Sequence, residues 1–176
     1  MRGGDEVKVI ARAAAPRRAW CTLAPMLIAP IRPVPGGVDA ALRFPAPLAQ
    51  VFRTISDLHR MEVWWPEHRT YRLLRGDGGA GSLYGWTYWL GKVPAAGFTR
   101  VLAREPDAHF AYRAGFPGTA IQLDYRFRED EGGTRADLSL RTLLAYLPGF
   151  KARIVPEMTR SYALLEGLLT SSSAAA

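Results

Sequence analysis

Three glycines form the pattern G-x-G-x-x-G in the segment RGDGGAGSLYGWTYWLG, where they are Gly76, Gly78 and Gly81. In dinucleotide-binding proteins such glycines precede a helix, whose N-terminus binds the pyrophosphate. Here an alternating aromatic run follows, which predicts a strand. The sequence also lacks the Lys-Ser/Thr pair of a phosphate-binding loop and the companion motifs of protein kinases. We therefore interpret the glycines as a hairpin turn and predict no nucleotide or other cofactor.

Three histidines, His59, His68 and His109, are the other candidate groups for chemistry. No two of them have the spacing of metal ligands, and the single cysteine, Cys21, cannot form a thiolate cluster, so no metal site is predicted. His59 and His68 fall around the second predicted helix. A histidine there could be a general base beside a cavity or an ordinary surface residue. No serine has a paired His and Asp in motif context, so the catalytic residues stay unassigned.

The charge distribution argues against a nucleic-acid partner. The 176-residue chain has a net charge of +7, and more than half of this excess lies in residues 1–36. In the rest of the chain, arginines alternate along predicted strands, whereas nucleic-acid-binding surfaces concentrate their charge. No apolar run approaches the roughly 18 residues that span a bilayer, so we expect no integral membrane association. The single cysteine favours a cytoplasmic location.

The composition of the chain changes near residue 36. Residues 1–36 are basic, rich in proline and without periodicity, which predicts an irregular extension. This segment is either part of the mature protein, where it could bind a protein partner, or a start-site artefact, because Met26 offers a more compact beginning. Residues 37–171 are predicted to form one domain, and residues 172–176 a disordered tail.

Hydrophobic periodicity gives the order of elements in residues 37–171 as a strand, two short helices, six strands and one long helix. The run IQLDYRFR alternates strictly between apolar and polar residues, which is typical of an antiparallel strand with one solvated face. The final helix is predicted from apolar residues at i, i+3/i+4 spacing. These residues are Phe150, Ile154, Met158, Tyr162, Leu165 and Leu169.

The stretch LRFPAPLAQVFRTISDLHRMEVWWP resembles the beginning of the START/SRPBCC superfamily, and most closely its bacterial-type polyketide cyclase/dehydrase-like members. The segments GDGGAGS, VLAREPDAHFAYRA and GGTRADLSLR are similar to the same family, and the resemblance covers about residues 38–170. It implies an α+β helix-grip fold. In that fold a curved seven-stranded antiparallel sheet wraps around a long C-terminal helix, and two short helices follow the first strand. The space between sheet and helix often binds lipids, sterols, polyketides or aromatic metabolites.

The aromatic strand SLYGWTYWLG places Tyr84, Trp86 and Tyr88 on one face, which we expect to point inward. Inward aromatic residues either fill a core or line a ligand cavity; buried tyrosine hydroxyls need polar partners, which favours a cavity. Arg141 could contact a polar ligand group or be exposed. The candidate ligand-binding residues are Trp64, Trp65, Tyr84, Trp86, Tyr88, Phe110, Tyr112, Leu123, Tyr125, Leu138, Met158 and Tyr162.

The resemblance implies two functions for this cavity. The first is binding of a small hydrophobic or aromatic molecule, lipid-like or polyketide-like, without chemistry. The alternative is a polyketide cyclase/aromatase or dehydratase that acts on a ligand in the same cavity. Catalysis would require a titratable group with a shifted pKa facing the ligand. The residues themselves offer mainly tyrosines, so the sequence favours binding. It carries no signal for a particular oligomeric state.

Overall fold

The computed structural model describes residues 30–90, 92–116 and 118–173. The hypotheses about residues 1–36, a start-site artefact or a partner-binding extension, concern a segment of which residues 1–29 lie outside these described residues. In chain order the elements are β1 (Arg32–Val34), β2 (Gly37–Phe44), α1 (Leu48–Ser56), a 3₁₀ turn (Leu58–Arg60), α2 (Met61–Trp64), β3 (His68–Arg75), β4 (Leu83–Leu90), β5 (Val93–Glu105), β6 (His109–Gly115), β7 (Ile121–Asp130), β8 (Gly133–Thr142), a second 3₁₀ turn (Leu143–Tyr146) and α3 (Phe150–Ser173).

The strands form one eight-stranded antiparallel sheet in the order β1-β2-β8-β7-β6-β5-β4-β3. The two strands that flank the helical segment, β2 and β3, lie far apart in the sheet, so α1 and α2 connect distant strands. Residues at alternate positions of β7, namely Leu123, Tyr125 and Phe127, are buried, while Arg126 and Arg128 between and after them are exposed. The predicted α+β helix-grip architecture is confirmed.

The sheet has one strand more than the seven that were predicted, because β1 lies in the segment interpreted as irregular. Val34 and Gly37 are register partners, so Pro35 and Gly36 form a two-residue turn. Gly36 has a φ of 71°, which a turn of this kind requires and which glycine adopts without strain. Pro33 is tolerated because β1 is the edge strand, where a missing N–H breaks no further ladder.

The glycine-rich segment is a hairpin loop between β3 and β4, as predicted. Gly76, Gly78 and Gly81 have φ values of 97°, 92° and 87°, a region that side chains disfavour. The loop is tied down by polar side chains: the backbone N–H of Gly78 donates to Ser82 Oγ at 2.9 Å, and Arg104 donates to the Gly78 carbonyl at 3.0 Å. A strand follows the glycines, so the segment has no helix N-terminus for a phosphate.

The predicted apolar stripe of α3 forms the helix's contact with the sheet. Ile154, Met158, Tyr162, Leu165 and Leu169 are all buried, and Phe150 at the start of the helix is partly buried against the same core. The helix extends to Ser173, within the segment predicted as a disordered tail. Within the described residues, no helix combines the length and the apolar character needed to cross a membrane.

Gly167 gives a test of the energetics of α3. It is exposed in the last third of the helix, and a Cβ added there meets no atom within 4 Å. We expect Gly167→Ala to raise the free energy of unfolding by about 0.5–1 kcal/mol, because alanine loses less backbone entropy on forming a helix. Urea denaturation followed by circular dichroism measures this change.

Gly132→Ala is the matched control, since this glycine is also exposed and also has open space around its Cβ position. Its φ of 75° disfavours any side chain, so the same substitution should destabilise the protein there. An unchanged or lower stability of Gly167→Ala would contradict the helix assignment at this position.

Candidate functional site

A cavity of about 200 Å³ lies between the sheet and the N-terminal half of α3. Strands β3, β4 and β6 and the residue after α2 contribute an aromatic wall, formed by Trp65, His68, Tyr71, Trp86, Tyr88 and Tyr112. The remaining wall is mostly aliphatic and comes from β6–β8, the segment before α3, and α3 itself; it includes Ala114, Ile121, Leu123, Leu140, Leu144 and Ile154. The cavity is therefore largely apolar, and its charged groups, Arg153 and Glu157, lie on α3.

His68 lies among four aromatic rings at one side of this cavity. The centroid of its ring is 4.9 Å from that of Tyr88, 5.2 Å from Tyr71, 5.6 Å from Trp65 and 5.9 Å from Trp86. Its Nδ1 atom is buried and has no hydrogen-bond partner among residues 30–173 as far as they are described. Burial lowers the pKa of His68 to about 3, because the charged imidazolium would lose its hydration. The imidazole is therefore neutral at physiological pH.

Glu157 is a buried carboxylate on α3 that connects three elements around the cavity. Its Oε1 atom accepts a hydrogen bond from Trp65 Nε1 at 2.9 Å and another from the Tyr88 hydroxyl. Burial, and then the hydrogen bond to Glu157, raises the pKa of Tyr88 far above its ordinary value. The phenol consequently stays protonated and donates to the carboxylate. These two bonds join α3 to β4 and to the residue that follows α2.

Three other buried tyrosines satisfy their hydroxyls within the core. Tyr125 and Tyr162 share a hydrogen bond of 2.8 Å, and the Tyr71 hydroxyl is 3.0 Å from Thr99 Oγ1. Burial raises the pKa of each of these phenols, so all three stay neutral. Buried hydroxyls were expected to favour a cavity, but most of them pair with one another or with a threonine.

The predicted binding residues separate into two groups in the structure. Those that line the cavity are Trp65, Trp86, Tyr88, Tyr112 and Leu123. The others are buried core residues outside its wall: Trp64, Tyr84, Phe110, Tyr125, Leu138, Met158 and Tyr162. Trp64 illustrates the difference, because its ring stacks on Tyr162 at 5.9 Å instead of facing the cavity. A role in ligand binding stays a prediction for the first group.

Three further residues at the cavity, Tyr71, Arg153 and Glu157, were not predicted from the sequence, and for His68 two interpretations were open. A signal for Glu157 was present: with Ile154, Met158 and Ser161 it follows i, i+3, i+4, i+7 spacing, which places it on the buried side of α3. Arg141, considered for a polar ligand group, is exposed outside the cavity and donates to Asp39 at 2.6 Å.

Comparison with known proteins assigns the family. The sequence model of the family described as polyketide cyclase / dehydrase and lipid transport matches residues 37–163, well over half of the chain. The chain belongs to this family. The match confirms the resemblance to the START/SRPBCC superfamily, and a search of curated proteins finds no significant match.

Several solved structures share the fold of this member of the polyketide cyclase / dehydrase and lipid transport family. Ara h 8.0201 is 18% identical, with a TM-score of 0.64 over 76% of this chain and 96% of that one. Protein CV1439 from Chromobacterium violaceum is 15% identical, with a TM-score of 0.64 over 77% and 98% of the two chains. CalU16 from Micromonospora echinospora is 16% identical, with a TM-score of 0.55 over 82% and 85%. At these identities the similarity shows the fold alone.

Proposed function

We propose that this protein binds a small, largely apolar or aromatic molecule in the cavity between the sheet and α3. The observation that carries the proposal is the cavity itself, about 200 Å³ with a mostly apolar wall. Pockets for small molecules are mostly apolar, with a few placed polar groups. The family's description includes lipid transport as well as chemistry, which is consistent with a carrier.

The size of the cavity limits the ligand. Sites for drug-sized molecules usually have volumes of about 300–1,000 Å³, and an apolar cavity of about 150 Å³ can hold a benzene ring. A cavity of about 200 Å³ therefore suits a molecule of one or two rings or a short aliphatic chain. A long acyl chain or a multi-ring polyketide would require the wall to move.

Native mass spectrometry of the purified full-length protein, incubated with a metabolite extract and then exchanged into volatile buffer, tests this proposal. We expect one small apolar molecule to be retained per chain and to be recovered unchanged after denaturation. A protein that retains nothing from extracts of different polarity would contradict the proposal.

A substitution that fills part of the cavity should weaken this binding without unfolding the protein. Ala114 is on β6 in the same inward phase as Tyr112 and lines the cavity. We expect Ala114→Leu to weaken binding of naphthalene by about tenfold or more, because the added methyl groups occupy ligand volume. Isothermal titration calorimetry measures the affinity.

Ala96→Leu is the matched control, since Ala96 is exposed on β5 and does not line the cavity. It should leave the affinity for naphthalene unchanged. Equal weakening by both substitutions would show that naphthalene binds elsewhere.

Catalysis in the same cavity, as a cyclase/aromatase or dehydratase, is the second candidate. It is favoured by the carboxylate of Glu157 at the wall, which could accept a proton from a bound substrate. The depressed pKa of His68 makes its imidazole a weak base, which favours binding over general-base catalysis by that residue. Recovery of a cyclised or dehydrated product in the mass-spectrometry experiment would support the catalytic candidate.

A further inference from the structure

The carboxylate of Glu157 has an acceptor that the protein leaves unused. Both of its hydrogen bonds, from Trp65 and Tyr88, end on Oε1. No donor among the described residues contacts Oε2. This atom is not fully buried, so part of its surface stays accessible. Only 7% of Glu157 is exposed. A carboxylate this deeply buried is costly unless donors contact it, which makes Oε2 a binding position for a hydrogen-bond donor.

Two hydroxyls at the cavity are satisfied within the protein. The Tyr71 hydroxyl bonds with Thr99, and the Thr119 hydroxyl donates to the Phe116 carbonyl. Trp86 Nε1 and His68 Nδ1 have no hydrogen-bond partner in the described part of the chain, but both atoms are fully buried. A ligand in the cavity therefore does not reach them, which leaves Glu157 Oε2 as the accessible acceptor.

The accessible acceptor lies beside Tyr88, because the Tyr88 hydroxyl contacts the Glu157 carboxylate. An ether or a ketone has no proton to donate to Oε2. An ammonium could donate to it, but it would also be near the positive charge of Arg153, which lines the same cavity.

We propose that the ligand of this cavity is a hydroxyl-bearing molecule, a phenol or an alcohol on a one- or two-ring apolar body, and that its hydroxyl donates to Glu157 Oε2. This inference rests on the proposed function and specifies the polar group that the site selects. The apolar body contacts the aliphatic wall that includes Ile121 and Leu144.

Four two-ring probes test the proposal on the full-length protein by isothermal titration calorimetry. Naphthalen-2-ol has a donor and an acceptor, 2-methoxynaphthalene has the acceptor alone, naphthalene has neither, and naphthalen-2-ylmethylammonium is a cationic donor. We expect naphthalen-2-ol to bind about tenfold more tightly than 2-methoxynaphthalene, since hydrogen bonds to a charged acceptor are stronger than neutral ones. Equal affinity of these two probes, or tighter binding of the ammonium, would overturn the proposal.

Glu157→Gln keeps the shape of the side chain and removes its charge. It should reduce the preference for naphthalen-2-ol over 2-methoxynaphthalene to about twofold or less, because it weakens the binding of naphthalen-2-ol more than that of the other probes. Glu166→Gln is the matched control, because Glu166 is a carboxylate on the same helix that does not line the cavity. It should leave the preference intact. Equal weakening of all probes by Glu157→Gln would overturn the assignment.

Tyr88→Phe keeps the experiment decisive if Glu157→Gln fails to fold. This substitution removes one donor to Glu157 and leaves the carboxylate in place, so the preference for naphthalen-2-ol should persist or increase. Loss of the preference in Tyr88→Phe would overturn the proposal. Failure of all four probes, naphthalene included, would instead contradict the proposed function and this inference together.

Discussion

Replacing Trp64 by alanine is expected to lower the free energy of unfolding by about 3–5 kcal/mol, the range for a buried aromatic side chain cut back to a methyl group. Trp64 is fully buried at the end of α2. Its ring stacks on Tyr162 of α3 at 5.9 Å and contacts Trp65 at 5.7 Å. The substitution leaves a void where α2 packs on α3, and urea denaturation followed by circular dichroism measures the loss. A cost below about 1 kcal/mol would contradict this packing.

The adjacent tryptophans offer a matched comparison by substitution with phenylalanine. Trp64 Nε1 has no acceptor within the described residues, so Trp64→Phe loses only part of a ring and also removes an unsatisfied donor. Trp65 Nε1 donates to Glu157, so Trp65→Phe leaves a buried carboxylate with one bond fewer. We expect Trp65→Phe to cost about 1–3 kcal/mol more than Trp64→Phe. A larger loss for Trp64→Phe would show that its indole N–H has an important partner.

The fold was predictable because its main elements are encoded by local periodicity. Alternation of apolar and polar residues in IQLDYRFR defines β7, and the 3.6-residue stripe from Phe150 to Leu169 defines α3. Strand β1 was missed because it is short and contains Pro33, which normally argues against a strand. Its pairing depends on the turn at Gly36 and on an edge position in the sheet, and neither has a periodic signal.

The cavity was less predictable because it depends on contacts between distant segments. Tyr112 and Tyr125 both point inward from adjacent strands, yet only Tyr112 lines the cavity, whereas the hydroxyl of Tyr125 pairs with Tyr162 of α3. Periodicity identifies the inward face of a strand, but it does not show which inward residues the helix covers. The same limit applies to His68. The rings that bury it lie on β3, on β4 and directly after α2, and they come together only when the chain folds.

Stability is expected to fall as the pH decreases below about 6.5, with His68 as a principal cause. In the folded protein the pKa of His68 is about 3, against 6.5 in an exposed histidine. The unfolded chain therefore takes up a proton at His68 before the folded chain does, and protonation favours unfolding. The free energy of unfolding loses nothing through His68 above about pH 6.5. It is lower by about 2 kcal/mol at pH 5 and continues to decline until the pH approaches about 3.

His68→Phe separates this effect from the titration of carboxylates. The substitution keeps an aromatic ring among Trp65, Tyr71, Trp86 and Tyr88 and removes the titratable group. Between about pH 8 and about pH 5, the free energy of unfolding measured by urea denaturation should therefore fall by about 2 kcal/mol less in this variant than in the wild type. His59→Gln is the matched control, because His59 is exposed, and it should retain the wild-type dependence.

Glu157 and Arg153 are the charged groups that line the same cavity, so the comparison is repeated in a Glu157→Gln background. If His68→Phe still reduces the pH dependence of stability in that background, the proton taken up on unfolding belongs to the imidazole and not to the carboxylate. A pH dependence that is identical in wild type and His68→Phe would mean that the folded protein tolerates a charged imidazole. His68 would then have to be accessible to water, and the aromatic wall around it would be open in solution.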